Sequence, residues 1–184
     1  DIINKVLQVL NEDDIINDSN IDEKYSCVVL IETILASYNQ IEENKLEQIL
    51  NFIVKVIKLQ NEYPLLTQKS FELSLIFYQM NYQLIMSDEL VSFYLEACSN
   101  YLSTTNQVIS FIVAQILAYL IPKMNFQQIQ FFSKKCALFI RLYGDNSSPV
   151  FCLGHQLYHI LVENRQEIDP FIEDSFHHSC DHCS

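Results

Sequence analysis

Glycine occurs only twice in 184 residues, at Gly144 and Gly154. Dinucleotide fingerprints, P-loops and hairpin-rich β-barrels all place glycine where the backbone needs positive φ. Two glycines cannot supply those turns. Basic residues are also scarce: 11 Lys and Arg stand against 23 Asp and Glu, a net charge of −12 at pH 7. Duplex nucleic acid is held by Lys and Arg that displace counterions from phosphate, so no nucleic-acid partner is expected. Long hydrophobic runs are missing too. The most apolar stretch, Val108 to Ile121, has 14 residues with Ser110 and Gln115 inside it. A bilayer span needs about 20, so a helix buried in protein is the better reading and no membrane span is expected. No basic-then-apolar leader is visible.

What is present is apolar and helical. The hydrophobic share is 49%, too high for a disordered chain. Val91, Tyr94, Leu95, Cys98, Tyr101 and Leu102 recur at i, i+3, i+4, i+7, i+10 and i+11, one stripe of an α-helix. Leu46, Ile49, Leu50, Ile53 and Ile57 repeat the pattern, as do Ile129, Phe132, Cys136, Phe139, Ile140 and Tyr143. No segment sustains the period-two alternation of a strand. The 12 Phe and 10 Tyr fall at helical spacing and are assigned to the core. The six cysteines are Cys27, Cys98, Cys136, Cys152, Cys180 and Cys183. Four lie at apolar positions, where a free thiol behaves as a small buried hydrophobe, so a reduced, cytoplasmic or nuclear protein is expected.

Helix start signals are regular. Asn20, Asn44, Thr67, Ser87, Thr105, Asn125, Ser148 and Asp169 each precede a helical run as N-cap candidates. Asn20 with Glu23, Asn44 with Glu47 and Asn125 with Gln128 are spaced as capping boxes. Pro149 and Pro170 suit first-turn positions, and Gly144 a C-terminal cap. Helices thus begin about every 21 residues and a helix pair occupies about 42, the period of HEAT and armadillo arrays. The expected fold is all-α: eight or nine antiparallel helices stacked as pairs in a HEAT-like α-solenoid. Residues 1–184 are read as one helical-repeat domain and a fragment of a longer solenoid. A closed bundle of eight or nine helices is the alternative. The stripe Ile2, Ile3, Val6, Leu7 and Leu10 begins at the first residues and is expected to lie open for a preceding helix or a second copy.

Candidate sites are sparse. Residues 1–63 hold 12 acids and 5 bases, and the segment Asn11 to Asp18 concentrates acids. Glu12, Asp13, Asp14 and Asp18 are the candidate partner-binding residues, offering negative charge to a basic protein; the plainer reading is a solvated linker. His155 and His159, four apart, share a helix face and could hold zinc. A zinc peptidase needs Glu directly after the first His. Gln156 stands there and cannot take a proton, so peptidase chemistry is not expected. Cys180 and Cys183 form a C-x-x-C among His177, His178 and His182. His177 or His178 could add a third ligand, and the fourth would come from outside the chain. No complete metal site, no cofactor and no catalytic residue is therefore expected. Lys134, Lys135 and Arg141 are read as a solvated face near a helix C-terminus.

Several stretches are similar to helices in the C-terminal half of importin-β superfamily nuclear transport receptors. They are Leu46 to Ile57 (Leu-Glu-Gln-Ile-Leu-Asn-Phe-Ile-Val-Lys-Val-Ile), Ser70 to Leu75, Met86 to Leu90, Cys152 to Leu161 and Ile168 to Ile172. The likeness covers roughly residues 25–175 and rests on apolar spacing and caps. It implies a non-enzymatic carrier that takes basic cargo on an acidic face and Phe-Gly nucleoporin repeats between outer helices, flanked by neighbouring repeats of a parent chain. A fixed HEAT-repeat scaffold subunit of a large assembly is the alternative.

Overall fold

A computed structural model describes residues 2–12, 15–37, 41–144 and 147–177. Among the described residues there are nine α-helices and no strand: α1 (Ile2–Glu12), α2 (Ile21–Ser37), α3 (Glu43–Lys58), α4 (Pro64–Gln79), α5 (Asp88–Tyr101), α6 (Gln107–Leu120), α7 (Phe126–Tyr143), α8 (Pro149–Glu163) and α9 (Pro170–His177). Short 3-10 turns occupy Gln83–Met86 and Ile121–Lys123. Successive helices begin 19 to 24 residues apart, the regularity read from the caps. No described helix is long and apolar enough to cross a membrane.

Some helix starts fall where the sequence places them. Asn125 and Gln128 form the reciprocal capping box of α7, whose other end is closed by Gly144 in the left-handed conformation at φ +61. The Ser148 hydroxyl accepts from the Phe151 N–H ahead of Pro149, and Asp169 Oδ1 accepts from the Phe171 N–H ahead of Pro170. Others differ. Asn106, not Thr105, caps α6 by accepting from the Ile109 N–H. Glu42, not Asn44, precedes α3. Helix α4 starts at Pro64, so the expected cap Thr67 lies within it, fully buried. Proline with its fixed φ opens a helix without a side-chain cap. Asn20 does precede α2, but its side chain turns back: Nδ2 donates to the Ile15 carbonyl and Oδ1 accepts from the Asn17 N–H. These two bonds tie the loop ahead of α2.

The chain divides into two compact units, residues 1–85 and 86–184. In the first, α1 packs on α2 and α3, α2 on α4, and α3 on α4. In the second, α5 packs on α6, α6 on α8, α7 on α8, and α9 on both α7 and α8. Within each unit the packed pairs are helices next to each other or one apart in the chain order. Short connections make successive helices antiparallel, so the arrangement is one of stacked antiparallel pairs. Val28, Ile31, Ile49, Ile53, Val56, Phe71 and Phe77 form the core of the first unit, and Tyr94, Val113, Ile116, Leu117, Cys136, Leu157 and Phe176 that of the second.

Two expectations are corrected here. The stripe of α1 is not open: Ile3, Val6, Leu7 and Leu10 are buried, and only Ile2 is exposed. Lys24, itself buried, donates Nζ to the carbonyls of Val9 and Leu10, satisfying acceptors that the end of α1 leaves over. Replacing Ile3 and Leu7 together by Lys should therefore destabilise the first unit by several kcal/mol, since buried charge without a partner is costly. Thermal unfolding followed by circular dichroism measures this; an unchanged transition would mean α1 is dispensable. The second correction concerns cysteine. Cys98 and Cys136 are buried, and burial pushes both thiols far up, away from reactivity. Cys152 is exposed instead, because it sits on the outer face of α8.

Candidate functional site

The acidic candidates are only partly placed. Asp13 and Asp14 lie outside the described residues. Glu12 ends α1, exposed, with its Oε1 accepting from Gln8 Nε2 at 2.8 Å. It borders a polar groove of about 730 Å³ between α1 and the start of α3, lined also by Asn4, Gln8, Glu42, Lys45 and Gln48. Lys45 pairs with Glu42 at 3.6 Å, so the groove carries both signs of charge. Asp18 stands in the turn before α2 and is not among the groove's lining residues. Desolvation, followed by the charges of Glu62 and Asp18, raises the Tyr63 phenol.

His155 and His159 do share a face of α8, their ring centroids 5.8 Å apart. Phe151 lies 4.7 Å from His155 on one side and Phe176 of α9 lies 5.5 Å away on the other. His155 Nε2 is buried without a hydrogen-bond partner, while His159 is exposed. Burial, aided by the neighbouring His159, lowers the affinity of His155 for a proton and favours the neutral ring. Among the described residues, no three His, Cys, Asp or Glu side chains are grouped closely enough to hold a metal ion. His178, Cys180, His182 and Cys183 lie outside the described residues.

The basic cluster on α7 is engaged rather than simply solvated. Lys134 Nζ donates to Asp169 Oδ2 at 2.9 Å, and this bond, with one from the Phe171 N–H, lowers the Asp169 carboxyl below its ordinary range. Arg141 Nε donates to Ser175 Oγ at 2.8 Å, its terminal nitrogen pairs with Asp174, and the guanidinium lies 4.3 Å from the centre of the Phe171 ring. These contacts draw α9 along α7. Between the anchors lies a mainly apolar groove of about 370 Å³, lined by Phe131, Lys134, Lys135, Leu138 and Phe171. Phe131 and Leu138 are 46% and 40% exposed, and Lys135 Nζ stands 5.5 Å over the Phe131 ring.

Reading the sequence for one apolar stripe misses this groove. Helix α7 carries two. Ile129, Phe132, Cys136, Phe139 and Ile140 point inward, while Phe131, Leu138 and Leu142 recur at i, i+7 and i+11 on the exposed side. That second spacing is the signal that could have found it. Comparison with protein-family models, with curated proteins and with solved structures gives no significant match for the chain.

Proposed function

We propose that the chain is a non-enzymatic, protein-binding helical module whose α7–α9 groove receives an apolar side chain of a bound peptide. The observation that carries this reading is the exposed pair Phe131 and Leu138 beside Phe171, on a helix held by α8 and by the polar contacts to α9. Exposed apolar patches on an otherwise charged surface mark interaction sites. The volume is at the low end of the roughly 300–1,000 Å³ of small-molecule sites, and suits a side chain better than a cofactor. The likeness to nuclear transport receptors supplies the occupant: the phenylalanine of a Phe-Gly repeat, taken up between neighbouring helices.

The test is capture on an immobilised Phe-Gly repeat peptide. Wild-type chain should be retained, and Leu138→Asp should weaken retention by about tenfold or more. Leu138 is substantially exposed, so its replacement should leave the helical spectrum unchanged. Equal retention of the two would remove the groove from the reading. No retention, with stoichiometric recovery in one large complex, would favour a fixed scaffold subunit over a carrier.

A further inference from the structure

Helix α7 carries a basic cluster in an otherwise acidic chain, and that cluster borders the groove. The net charge is −12, with 11 Lys and Arg in all. Three of these, Lys134, Lys135 and Arg141, lie on α7, and the two lysines line the groove. Their charges are not equivalent. Lys134 is paired with Asp169 and Arg141 with Asp174, so both are neutralised by the segment they hold. Lys135 is not. Among the described residues no carboxylate lies within ion-pair distance of it. Its ammonium stands over the Phe131 ring instead, 5.5 Å from the ring centre. Glu173, the remaining acid of α9, is exposed and does not line the groove. Phe131, Lys135 and Leu138 stand at i, i+4 and i+7, one face over two turns of α7. An apolar seat and an uncompensated cation therefore share one patch.

We propose that the groove selects a peptide whose apolar residue is flanked by Asp or Glu, and that Lys135 reads the acid. This rests on the groove reading above and names the class of peptide the groove takes. Adjacent residues of an extended peptide lie about 3.5 Å apart. A side chain seated among Phe131, Leu138 and Phe171 brings its neighbour's carboxylate within reach of Lys135 Nζ. Seating the apolar residue also strips water from one side of the ammonium. A carboxylate replaces that water, a neutral side chain does so less well, and a second cation is repelled. The field of the whole chain acts the other way, since −12 draws basic peptides at long range. The two effects give opposite orders of affinity, and a measurement separates them.

Fluorescence anisotropy on the 1–184 chain compares three labelled Phe-Gly peptides that differ only in carrying Asp, Asn or Lys on both sides of the phenylalanine. The expected order is Asp tightest, then Asn, then Lys, with about three- to fivefold between steps at low salt. At about 0.5 M salt the three should converge to within about twofold. Lys135→Gln should abolish the Asp preference while leaving the Asn peptide within about twofold of wild type, and Lys135→Arg should keep the preference. The reverse order in wild type, or an Asp preference that survives Lys135→Gln, would overturn the proposal. Equal affinity for the three peptides, lost in Leu138→Asp, would overturn it and leave the groove reading standing. Binding of none of them would remove both.

Discussion

Replacing Leu117 by Ala should lower the stability of the second unit by about 2–5 kcal/mol. Leu117 is fully buried in α6, with Val113, Ile116 and Leu120 around it equally inaccessible. Eight of the fourteen residues of α6 are buried, the highest share among α1–α8, because α5 and α8 both pack against it. Truncation there removes apolar contacts and leaves a cavity that neighbours on two sides cannot close. The burial is not all round: Val108 is 50% exposed, so Val108→Ala should change stability by only about 0.5 kcal/mol. Urea unfolding of both variants, followed at the helical band, measures the contrast. A loss below about 1 kcal/mol for Leu117→Ala would show that α6 is not the centre of its unit.

Gly154→Ala should also destabilise, against the ordinary rule. In a helix interior Ala is favoured over Gly by about 1 kcal/mol. Gly154 lies within α8, yet a Cβ there would overlap the Phe176 ring and come 2.9 Å from Cys136 Cβ. Both neighbours are fully buried, so neither has solvent to move into. Overpacking of this kind costs about 1–3 kcal/mol and should outweigh the propensity gain. Gly154→Val should be worse than Gly154→Ala, and adding Phe176→Leu should recover part of the loss, since residues in contact couple. A stability gain for Gly154→Ala alone would mean that the Phe176 ring shifts aside at little cost.

Periodicity made the helices legible because burying one face of an α-helix writes a 3.6-residue pattern directly into the sequence. The caps of α7 and α8 were equally readable: Asn125 with Gln128, and Ser148 with Pro149, act through bonds that span three residues. The start of α4 was not, because a cap residue and a buried threonine look alike until the packing of Thr67 is known. The closure of α1 was hidden for a related reason. An apolar stripe states that something covers it, but not whether the cover comes from α2 and α3 or from outside. The groove depended on Phe171 meeting α7 across a long sequence separation. The histidine pair could be seen, but its neighbour Phe176 could not, because no local rule foretells where α9 returns.

Helix α9 has eight residues, too few to persist alone in water. It exists because it is docked: Phe171 beneath Arg141 at one end, Phe176 against His155 and Tyr158 at the other, and Asp169 tied to Lys134. At about 1.5 Å per residue, Phe171 and Phe176 are some 7.5 Å apart along the helix. The first end forms a wall of the groove and the second stands over the histidines. Whatever holds down one end therefore lowers the conformational entropy still to be lost at the other. The docking of the two ends is thermodynamically linked through the ordering of a single short segment, and the linkage acts equally in both directions.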